Sequence, residues 1–270
     1  MIKLIQGDAI VLFKNIEAKS VDLIIADPPY NLGKNYGNNH DLKGFDEYLH
    51  FTRDWLSEAY RVLKYNGSIY VFMGVRFISY LYDILDRELK MYFNSWITWH
   101  YTQGIGKTKG FSPRHDDILF FNKSTGFIFN LDFIRVPQKY FRQINNMAGA
   151  NPGDVWQFSH VHYSNPERQN HPTQKPEALV ERIVLASSNE NSLILDPFSG
   201  SGTTLRVCQI LKRNCIGFEM NPEYVMMTES RLKDKFLYFD SVDERLNRQP
   251  KDLPEDKKSE QFNNKFLFQR

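Results

Sequence analysis

The sequence predicts an α/β fold built on a doubly wound, mostly parallel sheet. Three observations carry that expectation. Short apolar runs of strand length recur along the chain, most of them alternate with amphipathic segments of helical period, and two of them stop at an Asp-Pro pair. Strands alternating with helices of roughly 10 to 19 residues make parallel βαβ units, and ligands of such sheets bind beyond the carboxyl ends of the strands.

Taken in order, Ile2 to Ile5 and Val21 to Ala26 are the first strand-like runs. Phe45 to Leu63 sets Phe51, Trp55, Ala59, Val62 and Leu63 on one face at three- and four-residue spacing, so a helix is expected there, ended by a turn at Asn66-Gly67. Ser68 to Met73, Trp96 to His100 and Asp117 to Phe121 read as strands, with a helix over Phe77 to Leu89. From Tyr101 to Asn170 the helical period gives way to Gly, Pro, Asn and aromatic residues, beyond one strand or hairpin around Asp117 to Asn130. A stretch of that length without regular elements usually carries function. The alternation then resumes: helix Pro176 to Ser187, strand Leu193 to Asp196, helix Thr203 to Leu211, strand Cys215 to Glu219, helix Pro222 to Lys233. The division expected is a catalytic domain over 1–238, with an insert over 101–170, and a charged tail over 239–270 that orders loosely.

Composition narrows the class. The chain has 270 residues, 41% of them hydrophobic and 24% charged, which excludes wholesale disorder. No apolar run approaches the roughly 20 residues of a membrane helix. Met1 to Asp8 has no basic segment leading into an apolar stretch and cleavage site, so the cytoplasm is the expected location. Cys208 and Cys215, without a neighbouring His or Cys pair, fit neither a disulfide framework nor a zinc site, and no metal is expected.

The first Asp-Pro strand end is Asp27-Pro28-Pro29-Tyr30. Two prolines lock φ and donate no N–H, so the loop leaves the sheet abruptly, with the Pro28 carbonyl and the Asp27 carboxylate facing one cleft. Two acceptors and a ring suit a planar exocyclic amine, whose lone pair is delocalised until acceptors draw on its hydrogens. The plainer alternative is a rigid turn with no chemistry.

The second is Asp196-Pro197-Phe198-Ser199-Gly200-Ser201-Gly202-Thr203-Thr204, a strand running through a glycine turn into a helix. Its backbone can approach a ligand closely, and the helix start favours an anion. The next strand ends at Glu219, placed like the acid that binds ribose hydroxyls in nucleoside sites. Leu205 breaks the Gly-x-Gly-x-x-Gly pattern of dinucleotide binding, and the Gly-Lys-Ser/Thr of a phosphate loop is missing. A mononucleoside cofactor with a carboxylate end remains, and S-adenosylmethionine fits.

With these motifs the sequence resembles the amino-methyltransferases that modify exocyclic amines of DNA bases, in the group whose catalytic half precedes its cofactor half. Asp27 to Tyr30 resembles that family's catalytic motif, Asp196 to Thr204 its cofactor motif, and His171-Pro172-Thr173-Gln174-Lys175-Pro176 a third motif of the permuted order. The resemblance spans roughly residues 1 to 235 and implies a Rossmann-like S-adenosylmethionine-dependent methyltransferase fold. It implies catalytic roles for Asp27, Pro28, Pro29 and Tyr30. It also implies that Asp8 and Ala9 meet the cofactor's adenine, that Thr173 and Lys175 lie near its methionine carboxylate with Ser201, Thr203 and Thr204, and that Glu219 takes the ribose. Asp196, Phe198, Gly200 and Gly202 complete that set.

The resemblance implies in-line methyl transfer without a covalent enzyme intermediate, onto a base that has left the duplex stack. Adenine N6 is the expected target, since the family associates Asp at position 27 more with adenine. Cytosine N4 is the nearest alternative; RNA or protein amide methylation and an inactive DNA-binding subunit stand further off. The 31–39 loop, glycine-rich and holding Lys34, is expected to close over the flipped base. Residues 101–145 carry Lys107, Lys109, Arg114, Lys123, Arg135, Lys139 and Arg142 against three acids, a net +4 hidden inside a whole-chain charge of +2. Basic residues spaced by glycine and aromatic residues suit phosphate contacts, so these and Lys34 are the expected DNA-binding set. A homodimer and a restriction endonuclease partner are further expectations from the resemblance.

Overall fold

The computed structural model describes residues 1–34, 42–101, 104, 106–136, 149–162 and 165–234. Its strands are β1 (Ile2–Gln6), β2 (Val21–Ala26), β3 (Leu63–Met73), β4 (Tyr92–His100), β5 (His115–Asn122), β6 (Val155–Gln157), β7 (Leu193–Asp196) and β8 (Asn214–Glu219). The helices are α1 (Ala9–Phe13), α2 (Phe45–Val62), α3 (Ile78–Asp83), α4 (Leu131–Ile134), α5 (Glu177–Ser187), α6 (Thr203–Ile210) and α7 (Pro222–Arg231). All the strands join one sheet in the order β1-β8-β7-β2-β3-β5-β4-β6. It is parallel from β1 through β3; β5 runs antiparallel to both its neighbours, and β6 lies parallel to β4.

Period-two alternation explains why the strands read as continuous apolar runs. Ile24 and Ala26 of β2, with Ile69, Val71 and Met73 of β3, bury against α1, α2 and α3. Leu23 and Ile25, with Tyr70 and Phe72, bury on the opposite face against α5 and α6. Both faces of the sheet are covered, as a parallel sheet requires. The expected doubly wound fold is therefore the one found.

Three local expectations are corrected. Helix α2 stops at Val62, and Asn66-Gly67 lies inside β3 rather than in a turn. Gly67 is needed there for close approach: a Cβ would fall 2.8 Å from the Leu63 side chain and 3.0 Å from the Asp22 carbonyl. The segment after Phe77 divides into α3 and a π-helical turn over Ile84–Glu88, where Leu89 N–H reaches back five residues to the Ile84 carbonyl at 2.9 Å. The irregular stretch also supplies β6, anchored by buried Trp156, whose indole N–H donates to the Gly153 carbonyl at 2.8 Å.

Lys123, expected in the DNA-binding set, is engaged within this architecture. Its ammonium donates to the carbonyls of Tyr60 (2.5 Å) and Leu63 (2.8 Å), closing the carboxyl end of α2 where a cation also meets the negative end of the helix dipole. No helix among the described residues is long and apolar enough to cross a membrane.

Candidate active site

The carboxyl ends of β8, β7, β2 and β3 open into one cleft of about 910 Å³. It lies at the topological switch, where the late strand β7 is inserted beside the early strand β2, with Ile24 opposite Leu195. The two Asp-Pro strand ends thus become neighbours across the cleft.

On the β2 side, the Asp27 carboxylate accepts from the Lys175 ammonium through Oδ2 at 2.5 Å. Its other oxygen, Oδ1, is buried and accepts no hydrogen bond among the described residues. The loop beyond is pinned twice. Tyr48 of α2 donates its hydroxyl to the Pro29 carbonyl at 2.7 Å, and buried Asn31, at φ 57°, exchanges two hydrogen bonds with the Lys43 backbone (3.1 and 2.6 Å). Gly74, just past β3, leaves room for the Tyr30 ring, which a Cβ would meet at 3.3 Å.

On the β7 side, the carboxylate is turned inward. Asp196 Oδ1 accepts from Phe198 N–H at 3.1 Å, Thr204 hydrogen-bonds the same carboxyl, and burial pushes its pKa up to about 7. Gly200 and Gly202 hold φ of 49° and 73°. A Cβ on Gly200 would meet His171 at 2.8 Å, and one on Gly202 would meet Thr228 at 2.3 Å, so the turn packs too closely for side chains. Glu219, at the end of β8, accepts from the backbone N–H groups of Gly200 and Asn221, each at 2.8 Å. Burial raises its pKa, and lone pairs remain on both oxygens for ligand hydroxyls. Asp8 caps α1 through Oδ1, accepting from Ile10 (2.9 Å) and Val11 (3.2 Å).

The 167–177 segment closes the back of the cleft. Gln174 bridges Gln169 N–H and the Glu167 carbonyl, both at 2.7 Å, while Glu167 accepts from Glu177 N–H at 2.9 Å at the start of α5. Burial pushes Glu167 up to about 7 and His171 down to about 3, so the imidazole is neutral. Beneath it Glu177 pairs with Arg231 (2.7 Å) and Arg206 (3.0 Å), all three buried. The opposite wall holds Asp116, which hydrogen-bonds Tyr101, with the His160 ring 3.8 Å from that of Tyr101. Burial raises the Asp116 carboxyl and lowers His160 to about 4.

Residues 21–230 match the DNA methylase family. The chain belongs to that family. As a member it is a DNA methyltransferase, and S-adenosylmethionine is the cofactor of its family. It is 61% identical to the Type II methyltransferase M.HpaI of Haemophilus parainfluenzae over 252 residues, covering 93% of this chain and 80% of the relative. It is 38% identical to the DNA adenine methyltransferase YhdJ of Escherichia coli K12, covering 85% and 82% of the two chains. Among solved structures, the M1.HpyAVI–SAM complex superposes with a TM-score of 0.64 at 27% identity, covering 87% of this chain and all of that one. The cytosine-N4-specific PvuII methyltransferase gives 0.68 at 19% identity, covering 97% and 91%, a likeness of fold.

Within this methylase, Asp27, Pro28, Pro29 and Tyr30 line the cleft together with Asp8, Ala9, Thr173, Lys175, Asp196, Phe198, Gly200, Ser201, Thr203, Thr204, Glu219 and Lys34. Gly202 does not; it caps α6 and faces α7. Lys107 and Lys109 are exposed on the loop between β4 and β5, and Arg114 follows Pro113 at the cleft's edge. Arg135, like Lys123, has its partners within the protein: its mostly buried guanidinium binds Asp132 (2.7 Å) and the Gly149 carbonyl (3.0 Å), tying two segments together. Lys139, Arg142, Tyr163, most of the 31–39 loop and the tail from 239 lie outside the described residues.

Sequence reasoning missed Tyr48, Asp116 and the side-chain partner of Lys175. Asp116 had a signal, an acid entering an otherwise apolar strand after a glycine-rich loop. Tyr48 had none, being one more apolar-face residue of an amphipathic helix.

Proposed function

We propose that this chain is a site-specific DNA methyltransferase that transfers a methyl group from S-adenosylmethionine to the N6 amine of an adenine turned out of the duplex. The observation that carries the proposal is Asp27 Oδ1, a buried acceptor without a partner among the described residues, beside Tyr30 and in one cleft with the glycine turn. A carboxylate oxygen in that state suits an N–H donor brought by a ligand. Of the relatives, the adenine methyltransferase YhdJ supports the choice of base, and the Type II name of M.HpaI supports a sequence-specific modification role.

The chain's own residues then have these tasks. Glu219 and Asp8 bind hydroxyl and amino groups of the nucleoside, and the Gly200-Ser201 turn with Thr203, Thr204 and Thr173 receives the amino-acid end. Bound S-adenosylmethionine supplies a sulfonium methyl, whose carbon–sulfur bond breaks, leaving a neutral thioether, as the amine nitrogen takes the carbon. Tyr30 stacks on the base, while Asp27 Oδ1 accepts from the amine, turns its lone pair toward the methyl and takes the proton the methylated nitrogen releases. Lys34, Lys107, Lys109 and Arg114 contact phosphates around the mouth. Phe111, wholly exposed among them, offers a ring to the base stack. The catalytic domain runs over 1–238 with its DNA-facing insert at 101–170.

Asp27→Ala is expected to lower single-turnover methylation by about a thousandfold while the S-adenosylmethionine Kd stays within about threefold. Nucleoside digestion of DNA methylated by the native chain should yield N6-methyladenine. N4-methylcytosine in its place would overturn the base assignment, and an undiminished rate in the variant would remove Asp27 from the chemistry.

A further inference from the structure

Lys175 is placed with unusual firmness for a lysine. Its residue is 8% exposed. Its carbonyl accepts from the Thr203 hydroxyl at 3.1 Å, at the start of α6 on the cofactor side. The preceding residue is clamped by the two Gln174 hydrogen bonds, and the following proline leads straight into α5. From this fixed stem the ammonium crosses the cleft to Asp27 Oδ2 at 2.5 Å and lies 5.3 Å from the ring centroids of both Tyr30 and Phe72. One residue thus joins the glycine-turn side by its backbone to the catalytic side by its side chain.

The family resemblance assigns Lys175 to the methionine carboxylate, whereas the geometry directs its charge elsewhere. We propose that Lys175 is a positioning residue for methyl transfer, holding Oδ2 of Asp27 so that Oδ1 is left for the target amine. Two facts join in this. A carboxylate with both oxygens free to rotate offers no fixed acceptor direction, and a charge-assisted hydrogen bond to one oxygen fixes the plane of the other. The atom without a partner among the described residues is the oxygen opposite the lysine. The ammonium also packs on Tyr30, so the same cation holds the ring and the acceptor that flank the base. The inference rests on Asp27 being the acceptor of the amine.

The test separates this role from cofactor binding. In Lys175→Met, single-turnover methylation at saturating S-adenosylmethionine should fall at least about thirtyfold, with the S-adenosylmethionine Kd, measured by calorimetry, within about threefold of native. A misplaced acceptor has that order of effect on rate. Lys175→Arg should recover a large part of the rate, because a guanidinium can still donate to Oδ2. In an Asp27→Asn background, Lys175→Met should cause little further loss, since the lysine acts through the carboxylate. A Kd raised tenfold or more with the saturated rate intact would return Lys175 to the cofactor and overturn the proposal, as would equal losses in the native and Asp27→Asn backgrounds. If Lys175→Met fails to fold, Lys175→Gln and Lys175→Arg carry the same comparison. A full rate in Asp27→Ala would sink the reading of Asp27 itself, whereas an undisturbed Lys175→Met beside an inactive Asp27→Ala would sink the positioning role alone.

Discussion

Two adjacent parallel strands of the methylase, β2 and β7, end in the same dipeptide, Asp-Pro, and use its carboxylate in opposite ways. At β7 the residue two beyond the aspartate is Phe198, whose N–H donates to Asp196, and the acid disappears into its own turn. At β2 the corresponding residue is Pro29, which has no N–H to give. Asp27 therefore lacks the donor that captures Asp196. One of its oxygens is taken by a lysine 148 residues away, and the other is buried with no hydrogen-bond partner among the described residues. One difference between the aspartate held in its own turn and the one that is not is this backbone hydrogen, which Pro29 removes.

The comparison can be broken most forcefully at that proline. Pro29→Ala restores the N–H and should draw Asp27 toward its own turn, lowering the single-turnover rate by about ten- to a hundredfold with little change in thermal midpoint. An unaltered rate would show that the proline is not what keeps the carboxylate open. The converse change, Phe198→Pro, removes the donor that holds Asp196. Relative to Phe198→Ala, which controls for the lost ring beside Trp55 at 5.3 Å, it should weaken S-adenosylmethionine binding by about tenfold.

A pH experiment sharpens the contrast further. Asp196 has a folded pKa of about 7, against a usual value of 3.8, with burial the leading cause. The folded state holds this proton more tightly, so the group's contribution to stability is complete below about pH 4 and is lost as pH rises through about 7. Glu167 acts in the same sense. Asp196→Asn should reduce the fall in urea midpoint between pH 5 and pH 8 that the native chain shows. An equal fall in the variant would place the dependence elsewhere.

The smallest effect separates two kinds of basic residue. Replacing Lys107 and Lys109 with alanine should weaken DNA binding and reduce the salt slope by about two. Lys123→Ala should leave that slope unchanged and cost about 1 kcal/mol of stability, because the residue caps α2. A reduced slope in Lys123→Ala would restore it to the DNA face.

The parallel half of the sheet was legible because its strands, covered on both faces, spell continuous apolar runs, and its helices repeat at three and four residues. Asn66-Gly67 misled because the pair has turn chemistry; the glycine serves instead to let β3 approach the Asp22 carbonyl. The partners of Lys123 and Arg135 were not legible because a count of charges cannot distinguish a cation facing solvent from one that closes a helix end or bridges two segments.

By itself the sequence determined the fold class, the two Asp-Pro strand ends and the glycine turn, because prolines and glycines act on the backbone at their own positions and apolar period acts within single elements. Which aspartate keeps an oxygen without a partner among the described residues, which lysine faces it and which basic residues remain on the surface were decided by tertiary structure. Those properties depend on partners tens to hundreds of residues away, as Lys175 is from Asp27, and only the packing of α5, α6 and the sheet brings such partners within a hydrogen bond.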